Sequence, residues 1–137
     1  MARFVVGSVD SLPPGAQRRV VINRRPLASF NVDGHYYALK DVCPHQGAAL
    51  SDGVVRRKVS ARQAGAYRYE PEHCFVRCPR HGWEYSLESG ESGYDSERDR
   101  VRAFEATVQS GEQLSAGPFV AETVAISVQD DYVVVEM

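Results

Sequence analysis

Short apolar or alternating runs, broken by Gly, Pro, Asp and Asn, extend along the whole chain. That pattern predicts an all-β protein. Residues 3–6 read as a strand, and the prolines of Ser11-Leu12-Pro13-Pro14-Gly15 end its pairing. Arg19 to Asn23 and Leu27 to Val32 read as a hairpin through Arg24-Arg25-Pro26, and Asp33-Gly34 is a hairpin turn leading to a strand from His35 to Lys40. Val54 to Val59 and Ala66 to Tyr69 are candidate strands; Pro71-Glu72-His73 reads as a turn before Phe75-Val76-Arg77. Further strands are expected at Glu84 to Leu87 and Arg102 to Gln109, with a loop at 88–93 and an irregular stretch at 115–118. Val124 to Gln129 and Tyr132 to Glu136 are expected to close the fold as a hairpin. No helix is firmly indicated, beyond one possible turn at Glu97 to Val101.

With 137 residues the chain suffices for one domain with a core, taken as 1–137. The apolar fraction of 43% and charged fraction of 25% describe a soluble globular protein. A net charge of −2 argues against general nucleic-acid binding. No signal peptide or membrane-spanning run is visible. Three cysteines fit a disulfide framework poorly, which points to the cytoplasm, where thiols stay reduced.

The chemistry concentrates in two boxes, Cys43-Pro44-His45-Gln46-Gly47 and Cys78-Pro79-Arg80-His81-Gly82-Trp83. Each supplies a cysteine and a histidine, with proline after the cysteine and glycine near the histidine. Two thiolates and two imidazoles are a four-ligand metal set, so Cys43, His45, Cys78 and His81 are the candidate ligands. A [2Fe–2S] cluster and a structural zinc ion both accept such a set. The C-x-H spacing and the paired proline and glycine favour the cluster. Proline stiffens each loop, and glycine admits backbone close to inorganic sulfide.

These paired boxes, with Tyr85 two residues beyond Trp83, resemble the Rieske family of [2Fe–2S] proteins. The resemblance implies that Cys43 and Cys78 bind an inner iron, and that His45 and His81 bind an outer iron near the surface. It implies a Rieske-like fold of three antiparallel sheets, with cluster-binding loops at about 41–53 and 76–92 forming a tip on a basal β domain. Ala48 and Arg80 stand where the respiratory branch carries a disulfide pair, and Trp83 stands where that branch carries a serine. These departures favour the ferredoxin-like branch, which implies a potential at the low end of the family range. The implied function is electron transfer from a flavin-dependent reductase to a terminal oxygenase, the chain being a carrier and not itself an enzyme, with neither nucleic acid nor membrane as partner. The alternative is a small regulatory or electron-transfer subunit of another oxidoreductase, such as a nitrite reductase. Exposed histidine ligands imply a potential that falls at alkaline pH, as an imidazole of the oxidised form loses its proton.

Residues 46–77, 32 positions, separate His45 from Cys78, about twice the spacing usual in the ferredoxins resembled. The excess falls in 54–75, which is expected to form a hairpin carrying Arg56, Arg57, Lys58, Arg62 and Arg68. Partner docking and a plain solvated hairpin are both open readings of it. Cys74 is expected to be a buried small hydrophobe, His35 an exposed side chain, and Trp83 and Tyr85 packing around the cluster, with Tyr85 a candidate donor to a cysteine sulfur.

Overall fold

The computed structural model describes residues 3–44, 48–63, 66–79, 83–92, 100–116, 127 and 129–137; for 57–63, 66–73 and 115–116 it describes the backbone alone. The chain divides into two compact units, Met1–Lys40 with Phe104–Met137, and Asp41–Ala103.

The first unit is built on a six-stranded sheet in the order β1-β9-β8-β4-β3-β2. Its strands are β1 (Arg3–Ser8), β2 (Gln17–Ile22), β3 (Arg25–Val32), β4 (His35–Lys40), β8 (Ala103–Ser110) and β9 (Asp131–Glu136). The two groups β1-β9-β8 and β4-β3-β2 join along β8 and β4. Both early hairpins turn on two residues. Ile22 pairs with Arg25 and Val32 with His35, and Asn23, Arg24, Asp33 and Gly34 all have positive φ. That backbone twist matches the twist of the flanking strands. The first turn therefore lies at Asn23-Arg24 and not at Arg24-Arg25-Pro26, and Pro26 sits inside β3 opposite Val21.

β1 and β9 are buried on both faces, which explains their unbroken runs of valine. Phe4, Val6, Val133 and Val135 join Ile22, Leu27 and Ala38 in one cluster. Val5, Tyr132 and Val134 pack with Leu114, which belongs to a short helix α1 (Gly111–Ala116). This helix was not expected. Ser110 and Gln113 cap it reciprocally, the Gln113 N–H donating to Ser110 Oγ and the Ser110 N–H to Gln113 Oε1, both at 3.1 Å. Of the expected closing hairpin, Tyr132 to Glu136 lies in β9, which pairs with β1 on one edge and β8 on the other. Residues 117–126 and 128 themselves lie outside the described residues, as do 97–99 of the possible turn.

The second unit holds a three-stranded sheet in the order β5-β6-β7, from β5 (Val54–Gln63), β6 (Ala66–Arg77) and β7 (Glu84–Ser86). The excess segment is indeed a long hairpin. The turn expected at Pro71-Glu72-His73 is instead a bulge inside β6. Arg57 pairs with Cys74 and Lys58 with Glu70, which leaves 71–73 without partners on β5. Proline has no N–H for a ladder, so it is tolerated where the ladder is interrupted. No helix among the described residues is long and apolar enough to cross a membrane.

Candidate metal centre

Two loops of the second unit carry the boxes, and they close in the same way. The Cys43 N–H donates to the Ala48 carbonyl at 2.8 Å, and the Cys78 N–H donates to the Trp83 carbonyl at 2.7 Å. Each bond spans five residues and makes a tight loop with the cysteine at its base. Cys43 and Cys78 are buried, whereas the proline that follows each of them is exposed. The thiols thus sit inside while the loops surface one residue later.

The first loop is pinned at its foot. Asp41 is fully buried and precedes the loop. Its carboxylate accepts from the Ser51 N–H at 2.7 Å and from Ser51 Oγ at 2.6 Å. A buried carboxylate must be satisfied by donors, and here one serine supplies two. Leu50, in the 3-10 turn Leu50–Asp52, is fully buried beside it in sequence.

Three features hold the second loop against the first. Val54 pairs with Arg77 in the β5–β6 ladder, directly before Cys78. Gly53 approaches the Arg77 carbonyl so closely that a Cβ there would overlap it. Tyr85, on β7 and fully buried, places its hydroxyl 3.6 Å from Cys43 Sγ. In register with Val76, Tyr85 belongs to the buried face of the sheet. Its O–H can donate to a thiolate at Cys43, a charge-assisted contact across 42 residues of sequence.

These features suit a metal–sulfur group. The cysteines form no disulfide, and both are held at the base of backbone-closed loops. Cys74 is also buried, on β6, and its carbonyl accepts from the Leu87 N–H at 2.9 Å, as suits the small hydrophobe expected there. Trp83 is half-buried and contributes its carbonyl to the loop closure. His35 opens β4 and is exposed, as expected. His45 and His81 lie outside the described residues, and among the described residues there is no group of three or more His, Cys, Asp or Glu that could hold a metal. Sequence reasoning passed over Asp41 and Ser51.

Comparison with known proteins agrees with this construction. Residues 2–105 match the family model for the Rieske [2Fe-2S] domain. The 3-phenylpropionate/cinnamic acid dioxygenase ferredoxin subunit of Photorhabdus laumondii is 26% identical over 111 residues, covering 81% of this chain and 90% of that protein. The structure of an NADH-dependent nitrite reductase small subunit from Mycobacterium tuberculosis superposes with a TM-score of 0.65 at 19% identity, covering 99% of this chain and 96% of that one. A chain from the complex of reduced oxygenase and oxidized ferredoxin in carbazole 1,9a-dioxygenase gives 0.58 at 21% identity, covering 96% and 91%. The two structural likenesses speak to the fold. The family model spans most of the chain, and the protein belongs to the Rieske [2Fe–2S] family.

Proposed function

We propose that this chain is a one-electron carrier of the Rieske ferredoxin type, working as one domain with cluster-binding loops at about 41–53 and 76–92. Cys43 and Cys78 hold the inner iron of a [2Fe–2S] cluster, and His45 and His81 hold the outer iron. Bound in this way, the cluster takes up and releases a single electron at a potential raised by the two neutral ligands. The observation that carries the reading is the matched pair of loops, each closed on a buried cysteine by the same five-residue backbone bond. The electron comes from a flavin-dependent reductase and passes to a terminal oxygenase in a cytoplasmic system. Support for that pairing is the P. laumondii relative, named as the ferredoxin subunit of a dioxygenase.

The fold likeness to a nitrite reductase small subunit favours a second reading, an accessory subunit of that class of enzyme. Anaerobic reduction of the purified protein separates cluster from zinc. The cluster predicts a coloured protein with two irons that takes up one electron and then shows an EPR signal. A colourless protein with one zinc overturns it. Reduction by a flavin reductase and re-oxidation by an oxygenase, with no effect on a nitrite reductase catalytic subunit, separates carrier from accessory subunit.

A further inference from the structure

The β5–β6 hairpin has two unlike faces. Where side chains are described, at its root, Val76 is fully buried, as is the Tyr85 paired with it. On the opposite face Val54 is 63% exposed, the Arg56 side chain 54% exposed, and Arg77 exposed. The register shifts between Arg57 and Lys58, where 71–73 bulge, and again between Ala61 and Gln63. Beyond the bulge Lys58 lies opposite Glu70, Val59 opposite Tyr69, Ser60 opposite Arg68 and Ala61 opposite Tyr67. Arg62 adds a charge at the far end.

The bias has one sign. Segment 54–77 holds six basic residues, Arg56, Arg57, Lys58, Arg62, Arg68 and Arg77, against two acidic ones, Glu70 and Glu72. The rest of the chain has ten basic against sixteen acidic residues. β5 is an edge strand, and charge on an edge deters pairing with other chains. Edge protection works with either sign, however, so it does not account for a cationic segment in an anionic protein. The strip also begins at Arg77, next to Cys78, and so leads to a cluster-binding loop. Arg56 is partly offset by Glu84 at 3.6 Å, which leaves most of the charge to the outer half of the hairpin.

We propose that this cationic hairpin, which leads out from Arg77 to Lys58 and Arg68, docks the acidic surface of the protein that exchanges electrons with this chain. The inference rests on the carrier reading above. A net excess of one sign steers encounter at range and orients the partner with the cluster loops facing it. Its contribution is an association rate that falls with salt, more than a large buried area.

The test uses two haem proteins as acceptors, the acidic cytochrome b5 and the basic cytochrome c. Each reaction moves one electron from the dithionite-reduced, desalted protein to the ferric haem. Stopped-flow rates are read from about 10 mM to about 150 mM salt, where the screening length falls severalfold. The expected result is that cytochrome b5 is reduced more slowly as salt rises, by about tenfold. In the K58E/R68E variant, which keeps charge on the edge strand, that salt slope flattens or reverses while the visible spectrum is unchanged. Cytochrome b5 reduction that quickens with salt, as the net charge of −2 alone would dictate, overturns the proposal. So does a salt-sensitive dimer in sedimentation, because the strip would then bind a second copy of the chain. The salt dependence of the native protein decides the matter even if the variant fails to fold. Failure to take up an electron reversibly refutes the carrier reading itself, a separate outcome.

Discussion

At the residue scale, Tyr85 and the Asp41–Ser51 pair have different duties. A donor aimed at a cysteine sulfur is held more strongly when the cluster is reduced, because the sulfur then carries more negative charge. Removing it lowers the potential. If the bond strengthens by about 1 kcal/mol on reduction, Tyr85→Phe lowers the midpoint by about 40 mV, since about 59 mV is a tenfold change for one electron. The phenyl ring keeps the packing, so the visible spectrum stays; a midpoint within a few millivolts of the native value refutes the bond. Ser51→Ala removes the donor at 2.6 Å from Asp41 and leaves a buried carboxylate oxygen short of one partner. It should cost about 1–3 kcal/mol of stability, read from urea unfolding of the cluster-loaded protein. The two boxes were legible as a motif because ligand chemistry needs fixed residue types at short spacing, and the structure closes each of them on a buried cysteine. Asp41 and Ser51 were not, because the nine intervening residues carry no sign that the loop folds back and buries the carboxylate.

At the element scale, what was legible depended on whether local signals agreed with tertiary pairing. The Asp33-Gly34 turn and strand β4 follow from the sequence because Gly at positive φ fixes the turn and the turn fixes the register. Pro71 misled because a proline in a strand reads as a terminator. Only the pairing across to β5 shows a bulge that absorbs it. Helix α1 was overlooked for its length, although Ser110-Gly111-Glu112-Gln113 is a capping box readable in advance. Six residues cannot sustain a helix by propensity, so α1 depends on that box and on Leu114. Ser110→Ala should therefore destabilise the protein by about 1 kcal/mol in chemical denaturation. The midpoint potential should not move, because Ser110 takes no part in the bonds that close the two cysteine loops.

At the scale of the whole molecule, the question is where the protein sets its potential. Rieske potentials span roughly −150 to +300 mV, and the protein moves within that range by the donors and links around the loops. This chain has Ala48 and Arg80 where the respiratory branch of the family would carry a disulfide. Its loops are instead tied by the Val54–Arg77 pairing, the close approach of Gly53, and the Tyr85–Cys43 contact. Ala48 takes part in the fold through its carbonyl, which closes the loop on the Cys43 N–H. Trp83, in the position of a serine, does the same for Cys78 and has no hydroxyl to offer a cluster sulfide. An indole replaces a serine hydroxyl at that position, and the tyrosine contact is long at 3.6 Å. Loss of that hydroxyl means less stabilisation of the reduced, more negative state. The expected midpoint therefore lies in the lower part of the family range, between about −150 mV and about 0 mV. Spectroelectrochemical titration near neutral pH measures it directly. A strongly positive midpoint would mean that other donors outweigh the loss of that hydroxyl, and would remove the ground for grouping this protein with the oxygenase ferredoxins.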